Sequence, residues 1–165
     1  RNYDNKNNDT WKIDSESLSE NKTSERSIND KYNTVIKCVH PTPDYDYSCP
    51  NDYSASYMIS YGKYKMLMMG DAQETAEKYM LDNNRLCDIS VLKTGHHGSS
   101  TSSSDIFLDK IKPEAAIISC GINNRYHHPS EKVMERLHEK NIKAMVTSEH
   151  GQIKIRSDGE SFTIN

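Results

Sequence analysis

Hydrophobic and polar positions change period several times along the chain. Thr34-Val35-Ile36-Lys37-Cys38-Val39 is a β-branched run that predicts a strand. His40-Pro41-Thr42-Pro43 ends it, because two prolines cannot join a ladder. Ser54 to Tyr61 alternates weakly and predicts a second strand. Tyr64-Lys65-Met66-Leu67-Met68-Met69 predicts a third, apolar enough for burial on both faces. Gly62 supplies the hairpin turn between them. Helical spacing of Ala76, Tyr79 and Met80 predicts a helix from Gln73 to Asn83. Cys87 to Lys93 reads as a fourth strand, Ser103 to Ile111 as a short helix and Ala115 to Cys120 as a fully apolar fifth strand. Ser130 is placed to cap a helix that runs to Lys140, with Val133 at the third helical position. Ile142 to Thr147, Gln152 to Ile155 and Ser161 to Ile164 complete the strands. Strands alternate with helices in the middle and hairpins lie at both ends, which is a mixed α/β layer architecture.

Residues 1–33 break this pattern. Asn, Asp, Ser, Glu and Lys dominate there, with Trp11, Ile13, Leu18 and Ile28 as the apolar anchors. So little apolar surface does not offset the entropy of ordering a chain, and the segment is expected to be poorly ordered. The predicted organisation is a polar segment at 1–33 followed by a folded unit at 34–165. The first residue is Arg1, not Met, which suggests a processed, trimmed or partial sequence.

Composition narrows the function classes. The formal net charge is -3, without the broad basic footprint of a nucleic-acid-binding domain. A bound cation can supply positive charge that side chains do not, so a phosphodiester substrate stays open. No apolar run is long enough to span a bilayer, and the polar start carries no signal peptide. Cys38, Cys49, Cys87 and Cys120 lack the paired spacing of a zinc ribbon. Cys38 and Cys49 could close a loop disulfide; isolated, partly buried thiols are the simpler alternative. The compartment stays open.

Three polar clusters fall at the C-terminal ends of predicted strands, where α/β layers build their sites. Gly70-Asp71 follows the third strand. Asp71 is either a metal ligand or the N-cap of the next helix. Gly95-His96-His97-Gly98-Ser99 follows the fourth. Neutral imidazole suits zinc and iron, and flanking glycines allow a ring to be aimed inward, although a solvated histidine pair is the competing reading. Asn123 to Pro129 follows the fifth strand and holds Tyr126, His127 and His128. Imidazole there could hold phosphate, pass a proton or ligate metal; the alternative is a plain helix-entry loop. His40 reads as structural, His138 as an exposed helix residue and His150-Gly151 as a turn between strands.

The succession of Gly-Asp-Ala at 70–72, Val-Leu-Lys-Thr-Gly-His-His-Gly-Ser at 91–99 and Ala-Ile-Ile-Ser-Cys-Gly-Ile-Asn-Asn-Arg-Tyr-His-His-Pro at 116–129 resembles the metallo-β-lactamase superfamily. Within it the ComEC-like group, which includes the hydrolase domain of a DNA-uptake channel, is the nearest likeness. Asn51-Asp52-Tyr53-Ser54, the Tyr61-Gly62 turn, the serine run 99–104 and Glu149-His150-Gly151 also look like family positions. The likeness implies the C-terminal half of an αββα sandwich, a mixed sheet with flanking helices. It implies a metal-dependent hydrolase, phosphodiesterase- or nuclease-like, with two Zn2+ per full site and Mn2+ as the other candidate. Asp71 is then the bridging ligand, and His97, ahead of His96, the loop ligand. His128 takes the catalytic role beside substrate. Ser99, Asn123, Tyr126 and His127 are the candidate substrate-binding residues.

One departure sets limits. The family's main metal motif, His-x-His-x-Asp-His, does not occur here; no histidine precedes His40. Two ligands do not make a catalytic zinc site, which takes three protein ligands. The expected activity therefore needs a missing N-terminal half or a complementary chain, with a phosphodiester or another small ester as substrate. The alternative is a non-catalytic binding or structural module that keeps half of the site. An isolated half-domain is also expected to be marginally stable or to self-associate, because its apolar strands lose a neighbouring layer.

Overall fold

A computed structural model describes residues 10–13, 32–41 and 46–165. The expectation for the polar segment falls mostly outside the described residues. Within that segment Thr10–Ile13 forms strand β1, paired antiparallel with β2 (Thr34–His40) in the register Trp11 to Ile36. β3 (Ser56–Tyr61) and β4 (Tyr64–Met68) extend the antiparallel meander through the Gly62 turn. Gly62 has φ +58 and a Cβ there would meet the Gly159 carbonyl oxygen at 2.4 Å. The turn thus needs glycine for both backbone and space.

From β4 onward the sheet becomes parallel. β5 (Val91–Lys93), β6 (Ala115–Ile118) and β7 (Lys143–Val146) follow in spatial order, giving seven strands, β1-β2-β3-β4-β5-β6-β7. Parallel neighbours need crossovers, and α1 (Glu74–Asp82), α2 (Asp105–Ile111) and α3 (Glu131–Glu139) supply them. α3 starts as its sequence implies: the Ser130 hydroxyl accepts the Val133 amide.

Strand alternation divides the core. The row Met58, Leu67, Leu92, Ala116 and Ala144 faces the helices and joins Ala76, Met80, Phe107, Leu108, Ile111, Val133 and Leu137 in the main core. Leu67 and Leu92 are fully buried there, each contributing about 1.5–3 kcal/mol relative to exposure. The opposite face holds a smaller cluster of Tyr64, Val91, Ile117 and Met145. A separate hairpin of β8 (Ile155–Ser157) and β9 (Phe162–Ile164) packs on it through Ile155, Phe162 and Ile164.

Several expectations need correction. β4 is not buried on both faces: Met68 is 39% exposed on the side away from the helices. The fourth strand is shorter than Cys87–Lys93, because the Ile89 amide turns to the Ile111 carbonyl and leaves the ladder. Residues Thr147–His150 form a helical turn, α4, where a simple turn was expected, and Gly151 ends it at φ +68. The mixed α/β layer with helices flanking a mixed sheet agrees with the sequence reading.

Candidate functional site

The site lies at the C-terminal ends of β4, β5 and β6, where three loops meet. The first two are stitched by backbone. Gly95 sits so close to Ala72 that a Cβ would lie 2.3 Å from the Ala72 carbonyl oxygen. The His96 amide donates to the Gly70 carbonyl at 3.1 Å. Gly95 therefore serves close approach and does not supply a left-handed turn. The unusual backbone belongs to the histidines, with φ +44 at His96 and +56 at His97. Left-handed non-glycine residues are uncommon and persist where the surroundings hold them.

What holds them is the serine run. The Ser102 hydroxyl donates to the Gly95 carbonyl at 2.8 Å, and the Ser99 amide donates to the His96 carbonyl at 2.9 Å. That run is anchored in turn by Glu77, a fully buried carboxylate on α1 that accepts the amides of Ser103 and Ser104. Burial pushes the Glu77 carboxyl above its ordinary range, opposed by those amide bonds. Arg136 of α3 donates to the carbonyls of Ser102 and Ser103. Both peptide polarities of the run are thus satisfied by charged side chains.

The outcome is an aimed imidazole. His97 Nδ1 donates to the Ser119 carbonyl at 2.7 Å, so in the neutral ring Nε2 is the nitrogen with the lone pair. That Nε2 lies 3.4 Å from Asp71 Oδ1, with both side chains about half exposed. Asp71 does not cap α1. Gln73 is the N-cap residue, its amide donates to Asp52 Oδ1, and the Asp71 amide donates to the Ser54 hydroxyl. The Asp71 carboxylate is left facing His97.

His96 turns the other way. Its Nε2 is 3.4 Å from Asn51 Nδ2, and its ring meets that of His128 edge-on at 5.8 Å. Nδ1 of each of these rings is buried without a hydrogen-bond partner. Burial, then the charges of His96 and His97, hold the His128 imidazole below its ordinary pKa. Tyr126 stacks on His128 at 5.8 Å, and the Arg125 guanidinium lies 4.6 Å over the Tyr126 ring. Asn124 organises this third loop: it accepts the His128 amide and donates to the His128 and Gly121 carbonyls. Asn123 and His127 are exposed with left-handed backbone, φ +54 at each. Ser99 is buried, its hydroxyl 3.0 Å from that of Thr101.

The sequence profile of the metallo-beta-lactamase superfamily matches residues 20–122, more than half of the chain. The chain belongs to that superfamily, in its ComEC-like group. It is 34% identical over 67% of its length to ComE operon protein 3 of Bacillus subtilis, a stretch that spans 14% of that relative. It is 37% identical over 64% of its length to Recombination protein 2 of Haemophilus influenzae, covering 13% of it. Competence protein ComA of Neisseria gonorrhoeae is 35% identical over 63% of the chain and 15% of the relative. The chain thus spans about a seventh of the length of the curated relatives it matches. The match begins at residue 20, inside the polar segment.

Members of this superfamily generally bind metal ions. Asp71 Oδ1 and the bare His97 Nε2 fit one edge of such a site, a carboxylate and an imidazole whose tautomer is fixed from behind. They do not complete it. No group of three or more His, Cys, Asp or Glu side chains comes together for a metal among the described residues. No helix among them is long and apolar enough to cross a membrane.

Four contributors escape a reading by sequence. Ser119 acts through a backbone carbonyl, which leaves no trace in residue type. Asn124 lies between the candidates Asn123 and Tyr126 with nothing to set it apart. Glu77 sits beside Ala76 and three residues before Met80, and an acid on that apolar stripe is the signal that could have found it. Lys93 ends a buried Val-Leu strand, again a charge where an apolar residue would suit the pattern.

Proposed function

We propose that this chain carries the C-terminal share of a metal-dependent hydrolase site, with Asp71 and His97 as ligands and phosphodiesters as the substrate class. The observation that carries the reading is the pair Asp71 Oδ1 and His97 Nε2, 3.4 Å apart with His97 Nδ1 committed to the Ser119 carbonyl. Structurally committed tautomers of this kind accompany histidine ligands to metals. Zn2+ is the proposed metal, two per complete site, with Mn2+ as the other candidate; when bound it would generate a hydroxide nucleophile and polarise the scissile centre. His128, beside His96 and below its ordinary pKa, is a neutral donor suited to the leaving group or to developing charge. Tyr126 and Asn123, and His127 next to them, offer an exposed rim for the remainder of a substrate. The competence and recombination names of the relatives support a nucleic-acid phosphodiester over a lactam.

Completion of the site requires donors from outside the described residues, supplied by an upstream half-domain or a complementary chain. The two-donor set also supports a second reading, a binding or structural module that retains half a site.

Elemental analysis separates the two. The chain is compared with a version extended upstream to the natural start of its gene, each with Asp71→Ala and His97→Ala variants. Near-stoichiometric zinc or manganese in the extended chain, lost in both variants, is the expected result. Metal in neither form would remove the ligand assignment and leave the binding module.

A further inference from the structure

Lys93 closes the β5 strand on the sheet face opposite the helices. The pairing register places it in the row Tyr57, Met68, Lys93, Ile117 and Met145. Every other side chain of that row is apolar or aromatic. Lys93 is half-buried, and its ammonium bends toward the strand end to donate to the Thr94 carbonyl at 2.8 Å. It thereby points along β5 to the loop that carries His96 and His97. No carboxylate lies within ion-pair distance of it among the described residues, although the more exposed Lys63 and Lys112 each have one. The Asp71 carboxylate and the Cys120 thiol lie within electrostatic reach, and burial presses the Lys93 pKa down against their pull. A charge held in an apolar row costs stability unless an anion meets it.

We propose that Lys93 is the anion-binding residue of this site and seats a non-bridging oxygen of a phosphodiester substrate. This rests on the hydrolase reading above and adds the substrate's charge to it. The position suits the role. The Lys93 ammonium lies within electrostatic reach of the Asp71 carboxylate, so a substrate presented at the Asp71–His97 edge would bring its phosphoryl oxygens toward the ammonium. A lysine acts on phosphate as a compact point charge with rotatable donors, which suits a group that must bind and leave. A neutral carboxylic ester offers no anion for it in the ground state, so Lys93 separates charged from uncharged esters in binding.

The test uses the upstream-extended chain, its Lys93→Met and Lys93→Arg variants, and three measurements. These are bound zinc by elemental analysis, calorimetric titration with inorganic phosphate, and the kinetics of bis-p-nitrophenyl phosphate against those of p-nitrophenyl acetate. The expected result for Lys93→Met is phosphate affinity weakened about tenfold or more, a rise in KM for the phosphodiester that is larger than any for the ester, and unchanged zinc; Lys93→Arg retains phosphate binding. Loss of zinc with both substrates slowed alike would make Lys93 a support for Asp71 and overturn the proposal. Unchanged phosphate affinity with a lowered Tm would assign Lys93 to an ion pair with the upstream segment and overturn it equally. If neither substrate turns over in the unmutated chain, the hydrolase reading fails, and the phosphate titration still decides the role of Lys93.

Discussion

At Gly95 one missing carbon sets the distance between two loops. A methyl group there would lie 2.3 Å from the Ala72 carbonyl oxygen and 3.3 Å from the Ser102 Cβ. Gly95→Ala must push the Asp71 and His97 loops apart. The expected cost is about 1–3 kcal/mol, the range for overpacking a closed contact, read as a lower urea midpoint together with reduced metal uptake in the upstream-extended chain. The glycine-histidine-histidine-glycine run stood out in the sequence as a candidate site, but the role of Gly95 did not. Sequence suggested conformational freedom at the glycines; the structure uses it at Gly98, with φ +78, while Gly95 gives steric room and the histidines themselves carry left-handed backbone. His40 was easier to read, because a histidine between a β-branched strand and a proline has little else to do. It is buried, with Nε2 2.6 Å from the Asp52 carbonyl oxygen and Nδ1 3.2 Å from the Tyr47 hydroxyl. Desolvation lowers its pKa from 6.5, opposed by the Asp52 carbonyl bond. The fold therefore favours neutral His40 while the unfolded chain takes up the proton. Its contribution is complete above 6.5 and is lost as pH falls through the lowered folded value. Urea unfolding at about pH 7 and about pH 5 should show a steep acid loss in the natural chain and a shallower one in His40→Asn. Equal slopes would mean that His40 does not titrate with folding.

α1 supplies no candidate ligand, yet it decides whether the serine run keeps its shape. Glu77 lies one residue after Ala76 and three before Met80 on the face packed toward the core, and it reaches the amides of Ser103 and Ser104 across the α1–α2 contact. Glu77→Ala leaves two largely enclosed amides without acceptors. At about 1–3 kcal/mol for each unsatisfied group, a loss of roughly 2–4 kcal/mol is expected in equilibrium denaturation, partly recovered in Glu77→Gln, which keeps one acceptor oxygen. A change under about 0.5 kcal/mol would show that water replaces the carboxylate. Helices and strands themselves were legible because their periodicity is strong: α1, α2 and α3 start and stop within two residues of their expected ends. Glu77 was not, because a helical wheel records that an acid faces inward and says nothing of what it meets there. The shortened β5 has a similar cause. Cys87-Asp88-Ile89 has strand-like residues, but the Ile89 amide is taken by Ile111 of α2, a partner 22 residues away in sequence.

For the molecule as a whole the two faces of the sheet are unequal. Three crossover helices bury one face in a continuous core. The other has the β8–β9 hairpin over Tyr64, Val91, Ile117 and Met145. Beyond the hairpin the same face continues through the cross-strand pairs Ile59 with Met66 and Tyr57 with Met68. Tyr57 remains 40% exposed and Met68 39%. On the proposed reading, the upstream partner that would complete the Asp71–His97 edge would also cover this apolar strip. Tyr57 and Met68 are the residues on which the expectation of marginal stability can be tested. Tyr57→Thr with Met68→Thr removes apolar surface while keeping strand propensity, and should reduce self-association of the chain in sedimentation velocity. In the upstream-extended chain the same pair should lower Tm, because there the proposed partner would cover the strip. A sharp monomer with a cooperative melt for the unmutated chain, unaffected by the pair, would mean that the hairpin alone suffices to close this face.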